Sequence, residues 1–141
     1  MNECERLWVY GSLLSGFFNH VKVLEGRVVS LHPARVKGRL FHQLHKGYPA
    51  LLSGSDWVYG ELLQIRDFFS VLPLVDELEG YAAGGADNEY DRRMSQVFYQ
   101  QDGAWLAVGA YVYWYARRDL GTKENPALYL PGGDWKGYMR G

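Results

Sequence analysis

Cysteine is nearly absent. Cys4 is the only one in 141 residues, so no disulfide can form within the chain and no cysteine-based metal site is available. It also stands too close to the terminus to suggest a catalytic thiol. An excess of charge of either sign is missing too: 15 Lys and Arg stand against 16 Asp and Glu, a formal net charge of −1. Such a balance lacks the electrostatic footprint of a protein that binds nucleic acid or an anionic membrane. The pairs Arg92-Arg93 and Arg117-Arg118 are too small to alter this and read as solvated strand ends. The first six residues are polar and charged, and no apolar run long enough for a signal peptide or a membrane span follows them, so a cytoplasmic protein is expected. Phosphate-binding and dinucleotide-binding glycine motifs are missing, as is a G-x-S-x-G nucleophile motif. No internal repeat, low-complexity tract or linker divides the chain.

Aromatic side chains, by contrast, are plentiful: 11 Tyr, 5 Trp and 6 Phe. They suit sheet faces and pocket walls. A chain of this length fits one domain, 1–141, with a single core. Residues 7–10 read as a buried first strand, 11–16 as a loop of small residues, and 17–24 as one or two helical turns. Residues 27–41 are β-like with an interruption near His32-Pro33. Gly47-Tyr48-Pro49 reads as a turn, 50–52 as a short strand, and Gly54-Ser55 as a second turn. Residues 57–65 form a clear strand in which Gly60 signals a bulge or close backbone approach. Ser70 is the expected N-cap of a helix over 70–79, with Pro73 in its first turn and Gly80 as the C′ glycine. Residues 80–89 form a glycine-rich loop. The stretches 90–100 and 105–115 pair as strands across an Asp102-Gly103 hairpin. Residues 121–141 wrap the surface, anchored by Trp135 and Tyr138. The predicted class is α+β: a small mixed β-barrel or curved sheet with one main helix and short helical turns.

Glu79 breaks the helix pattern. At 100° per residue it lies about 20° from Leu72 and one turn from Val75, on the apolar stripe, whereas Glu77 points away. A carboxyl on the core face is costly unless paired or protonated, and the negative end of the helix dipole disfavours its charge as well. Both effects raise its proton affinity towards the range of a general base and acid. Periodicity leaves a second reading open, in which the helix frays and Glu79 turns into solvent.

The Tyr10-Gly11-Ser12-Leu13 loop follows a buried strand. Successive N–H groups in such a turn can form an anion-binding nest, with Gly11 allowing positive φ or close approach and Ser12 adding a hydroxyl. An ordinary strand-end turn is the alternative. His42 and His45 lie three apart without further ligands nearby, and no metal site is expected. His20 would touch a ligand or support the loop, and Asn19 would cap a turn.

Six segments in order resemble the gamma-glutamylcyclotransferase-like superfamily, and most closely its gamma-glutamylamine cyclotransferase branch. They are Val9-Tyr10-Gly11-Ser12-Leu13 followed by Gly16 and Asn19-His20; Gly47-Tyr48-Pro49; Val58-Tyr59-Gly60-Glu61-Leu62; Val75-Asp76-Glu77-Leu78-Glu79-Gly80; Tyr90-Asp91-Arg92; and Ala110-Tyr111-Val112-Tyr113. No single segment is specific, but their order and spacing are. The resemblance implies a small curled sheet with helices alongside, and a reaction in which the α-amino group of a γ-glutamyl amine attacks its own γ-carbonyl to release 5-oxoproline and the amine. It places the catalytic carboxyl on Glu79. The backbone of Gly11, Ser12 and Leu13 would hold the glutamyl carboxylate, and Tyr10, Tyr90 and Tyr113 would line the pocket and donate hydrogen bonds unless they serve only sheet packing. It implies no metal or cofactor, a small γ-glutamyl substrate as the partner, and a monomer or weak homodimer. Loop 80–89 is longer than the pattern, which reads as an insertion or a lid and leaves the amine open. Two competing readings are a non-catalytic small-molecule binding module on the same fold and an interaction protein using its aromatic surface.

Overall fold

Two long strands, joined by a tight turn, carry the architecture of the computed structural model, which describes residues 5–141. Cys4 lies outside the described residues. β2 spans Val28–Gln43 and β3 spans Pro49–Ile65. Along β2, Ala34, Val36, Leu40 and His42 are buried while Lys37 and Arg39 are exposed. This period of two sends one face into the core and the other to solvent. β1 (Arg6–Val9) inserts beside β3 antiparallel and beside β5 (Ala104–Tyr115) parallel, with Leu7 opposite Leu63 and Tyr111. β4 (Tyr90–Gln101) pairs with β5 along its whole length, from Tyr90 opposite Tyr115 to Gln101 opposite Ala104. Asp102 and Gly103, both at positive φ, form the hairpin turn expected there. β4 meets β2 at Ala34–Tyr99 and Arg35–Phe98. The ladder β3-β1-β5-β4-β2 therefore curls back to β3, and β6 (Ala127–Leu130) extends the far end of β2.

Inside the curl, Leu7, Trp8, Leu40, Leu51, Leu63, Val97 and Val112 are buried. Trp8 donates its indole N–H to the Ala34 carbonyl at 3.2 Å, the partner a buried tryptophan needs. The main helix, α1 (Phe68–Leu78), lays Val71, Leu72 and Val75 against the sheet. A π-helical turn, His20–Leu24, occupies the helical stretch expected near residue 20.

Four local expectations change. Pro33 does not interrupt β2: it pairs opposite Glu61 within a continuous strand, whose irregularities fall at Val28/Ser30 and Gly38/Arg39. A proline removes only its own N–H from a ladder, and the residues on either side keep their partners. Gly54-Ser55 is not a turn either. Pairing jumps from Asp56 to Leu52, so these residues bulge inside a single β3. Ser70 is not the N-cap. α1 starts two residues earlier behind Asp67, whose carbonyl accepts the Ser70 and Val71 N–H groups, and this places Pro73 in the second turn on the exposed side. Finally, the C-terminal segment is more than a wrap, since it contains β6 and a short helix, α2 (Trp135–Arg140). Its anchors are the expected ones. Trp135 is buried, packs on Phe17 and donates to His42 Nδ1 at 3.0 Å, and Tyr138 packs on the His42 ring.

Gly60 is where β3 crosses closest to β1. A Cβ there would stand 2.1 Å from the Val9 carbonyl oxygen and 2.9 Å from the Trp8 ring, so the two strands could not keep their spacing. Gly60→Ala is expected to destabilise the protein by about 3 kcal/mol, as overpacking against fixed backbone does. Chemical denaturation of the two proteins checks this, and because Val9, the residue that would be displaced, leads directly into the loop at residues 10–13, a loss of ligand binding is expected as well.

Candidate active site

α1 ends at the site. Glu79 is its C-cap, Gly80 follows with φ 64°, and the Gly80 and Tyr81 N–H groups return to the Glu77 and Asp76 carbonyls. This is the glycine-terminated Schellman arrangement, and it holds Glu79 in helical register rather than letting the end fray. Val75, one turn earlier, is fully buried, while Glu77 is exposed. Glu79 thus continues the apolar stripe into a cavity of about 210 Å³.

The cavity lies between that helix end and the loop after β1. Val9, Tyr10, Gly11, Ser12, Leu13 and Asn19 line one wall. Tyr48, Pro49, Leu78, Glu79, Glu89, Tyr90 and Tyr113 line the rest. All seven candidate site residues come together here, drawn from the loop after β1, the C-cap of α1, β4 and β5. Gly11 is required by close approach: a Cβ would meet the Pro49 ring at 2.8 Å.

The loop backbone is oriented by its own hydrogen bonds. The carbonyls of Gly11 and Ser12 accept the N–H groups of Leu14 and His20 at 2.9 and 3.1 Å. The Leu13 carbonyl lies 2.8 Å from His20 Nδ1, so His20 supports the loop rather than lining the cavity. With those carbonyls committed, the N–H groups of Gly11, Ser12 and Leu13 have no backbone acceptor among the described residues. Asn19 donates to Ser12 Oγ at 2.6 Å, leaving the Ser12 proton free to point elsewhere. Beneath the loop, Glu61 of β3 accepts both the N–H and the hydroxyl of Ser15, each at 2.8 Å. The glutamate of the Val58–Leu62 segment is therefore a clamp on the loop.

The three tyrosines line the cavity with their hydroxyl protons already engaged. Tyr10 donates to the Tyr113 carbonyl at 2.7 Å, Tyr90 to the Pro49 carbonyl, and Tyr113 to Asp76 Oδ1 at 2.6 Å. Burial is the first reason that all three phenols are pushed above their ordinary range, with nearby carboxylates adding to it. They serve as neutral walls and as acceptors.

The carboxyls are treated unequally. Asp76 is held by Arg92 at 2.6 Å as well as by Tyr113. Glu89 is held by Lys46 at 3.0 Å and by the Tyr48 hydroxyl. Burial alone would lower the Lys46 ammonium, but the bonds to Glu89 and Tyr115 outweigh it and keep it protonated. Glu79 receives no hydrogen bond from a described residue. Burial, then the charges of Glu89 and Asp76, raise its pKa from 4.5 to about 8. A lone carboxyl of that proton affinity can take up and return a proton near neutral pH.

Reading the sequence alone missed Glu89 and Lys46 and gave Tyr48 no role. Glu89 adjoins Tyr90, and strand alternation would send neighbours to opposite faces. Both line the cavity because Glu89 still belongs to the loop, where its N–H donates to the Gly80 carbonyl. That bond pinches loop 80–89 at its base, and Asn88 ties its far side to the N–H and carbonyl of Ala82. Among the described residues, no group of three or more His, Cys, Asp or Glu could hold a metal ion, and no helix is long and apolar enough to cross a membrane.

A small curled-sheet domain with this order of elements is also what sequence comparison finds. Residues 7–137 match the family model described as gamma-glutamyl cyclotransferase, AIG2-like, and the chain belongs to that family. No curated protein matches. Similar solved structures include protein ytfP from Escherichia coli, at 24% identity and TM-score 0.62, covering 95% of this chain and 98% of that one. An AIG2-like protein from Mus musculus is 22% identical at TM-score 0.61, covering 79% and 77% of the two chains. An uncharacterized protein from Pyrococcus horikoshii is 14% identical at TM-score 0.60, covering 96% and 92%. At these identities the likeness is one of fold.

Carbon-13 NMR of labelled carboxyls is expected to show Glu79 titrating near pH 8. Glu89→Gln should move that titration down, because it removes the larger of the two neighbouring charges. The raised pKa also has a sign for stability. The folded state binds the Glu79 proton more tightly than the unfolded chain does, so this contribution is complete below about pH 4.5 and is lost as pH rises through about 8. The melting temperature of Glu79→Gln should therefore exceed that of the wild type increasingly between pH 5 and pH 9, by about 10 °C at the upper end.

Proposed function

We propose that this protein is an enzyme that cyclises γ-glutamyl amines to 5-oxoproline with release of the free amine. The observation that carries the reading is Glu79: an unpartnered carboxyl in the cavity, its pKa raised to about 8, facing the loop of Gly11, Ser12 and Leu13.

The α-carboxylate of the glutamyl group fits the N–H groups of that loop and the Ser12 hydroxyl. This puts the α-ammonium within reach of Glu79. The α-ammonium of the glutamyl group stands beside its own α-carboxylate and holds its proton more tightly than a peptide terminus does at ~8, so transfer to Glu79 is only modestly uphill. The freed nitrogen attacks the γ-carbonyl carbon, a C–N bond forms, and the five-membered ring closes. The bond between that carbon and the leaving nitrogen then breaks as Glu79 returns its proton to the departing amine, and the ring nitrogen gives up its second proton, which the released amine takes up as an ammonium. The nucleophile is part of the substrate, so positioning supplies much of the rate and no other reactant is needed. Tyr10, Tyr90 and Tyr113, whose hydroxyl protons are engaged elsewhere, shape the walls.

The test is 5-oxoproline release from a panel of γ-glutamyl amines and γ-glutamyl dipeptides. Wild type should release it, and Glu79→Gln, still folded, should lose about 10³-fold in kcat. The wild-type kcat/KM should climb with pH up to about 8, because Glu79 must be ionised to accept the proton. Ligand binding without release from any member of the panel would overturn the enzymatic reading in favour of a binding module.

A further inference from the structure

Away from the cavity, the outer face of β2 carries Arg35, Lys37 and Arg39 at every second position, while Ala34, Val36 and Leu40 face the core. Arg39 is provided for. Its Nε donates to the Ser53 carbonyl at 2.9 Å, and Asp56, bonded to the Tyr129 hydroxyl beside it, offsets its charge.

Arg35 is not provided for. Its guanidinium carbon lies 3.8 Å from the centre of the Trp57 ring and 3.7 Å from that of Trp105. Trp57 comes from β3, where it pairs opposite Lys37, and Trp105 reaches over β4 from β5. With indoles stacked against its plane, the guanidinium has only its edge left, and that edge carries its five N–H donors. No hydrogen bond or ion pair joins the edge to a described residue, and its Nε–H is buried without an acceptor. Lys37 Nζ lies 4.0 Å from the centre of the same Trp57 ring and donates to the Ser55 carbonyl at 3.2 Å. The two cations share one ring, so they stand within about 8 Å of each other and repel. No carboxylate of a described residue pairs with either.

Unspent donors, positive charge and aromatic carbon thus coincide on one sheet face, and its rim of Tyr59, Trp105 and Leu106 is exposed. A nucleic acid suits this face badly. Bases stack on free aromatic rings, whereas Arg35 and Lys37 already lie on Trp57 and Arg35 on Trp105. A lone small anion would answer the charge and leave the rim uncovered. We propose that this face docks an acidic, extended segment of a partner protein. One of its carboxylates takes the edge of Arg35 through two parallel N–H···O bonds and relieves the repulsion with Lys37, and a neighbouring apolar side chain covers Trp105. The surface is separate from the cavity at Glu79 and does not depend on the cyclisation reading. Its guanidinium is held in place before the partner arrives, so little ordering is needed on docking.

The probe is the peptide acetyl-Glu-Glu-Leu-Glu-Glu-Leu-amide, titrated into the full chain labelled with nitrogen-15 at low salt. The indole N–H signals of Trp57 and Trp105 should shift, while that of Trp8, buried and bonded to Ala34, should stay. Affinity should fall about tenfold as salt is raised to screen the charges. Arg35→Met keeps a chain between the two indoles but no donors, and should weaken binding about tenfold or more. Arg35→Lys keeps the charge without the fork and should recover only part of that loss. Lys37→Gln, at an exposed position, should cost about threefold, and it carries the test if Arg35→Met does not fold. Absence of any shift overturns the proposal, as does equal binding by the peptide with Gln in place of Glu. Inorganic phosphate binding as tightly as the peptide would make this a small-anion site, and tighter binding of oligo-thymidylate would make it a nucleic-acid surface; either result overturns it. So does wild-type affinity in both Arg35→Met and Lys37→Gln.

Discussion

A carboxyl placed on the apolar stripe of a helix, at the negative end of its dipole and beside two other carboxyls, is the constraint on which this structure turns. Each of those circumstances disfavours charge on Glu79, and the burial of Val71, Leu72 and Val75 against the sheet keeps the helix where it is regardless. The Schellman turn at Gly80 holds the end of the helix, so the side chain cannot relieve the cost by fraying into water.

The surrounding polar groups sort three carboxyls into different roles. Asp76 has Arg92 and Tyr113, Glu89 has Lys46 and Tyr48, and Glu79 has neither cation nor donor among the described residues. The two paired groups are fixed beside the third, and both raise its hold on a proton. Similar side chains thereby acquire different chemistry from environment alone. The opposite wall follows a matching logic. Loop carbonyls are committed to Leu14 and His20, Ser15 is clamped by Glu61, and the N–H groups of Gly11, Ser12 and Leu13 have no backbone acceptor among the described residues. The proposed proton carrier and the proposed anion cradle would together suit a substrate that bears both an ammonium and a carboxylate at one end.

Much of this was legible in the residues. The 3.6-residue period marked Glu79 as misplaced, the period of two marked the strands, and Gly60 marked the close approach of β3 to β1. Other features were not. Pro33 and Gly54-Ser55 looked like breaks because proline and glycine are local punctuation, yet long-range pairing carried both strands straight through them. The N-cap was misplaced because Ser70 has the right side chain, whereas Asp67 has the position. The tyrosines were expected to offer protons, but their hydroxyls were already taken by partners distant along the chain, Tyr10 by the carbonyl of Tyr113 among them.

By itself the sequence determined what local physics can carry: the α+β class, the apolar faces, the helix end at Gly80, the Asp102-Gly103 hairpin and, provided that the helix does not fray, one carboxyl on its apolar stripe. These depend on spacing of a few residues and on backbone preferences. Only the tertiary structure decided which groups meet Glu79. Glu89 is ten residues away around a loop, and Lys46 and Tyr48 come from the turn between two strands. Their effect on the cavity depends on distance in space, which falls out of how the sheet curls, and no periodicity along the chain encodes it.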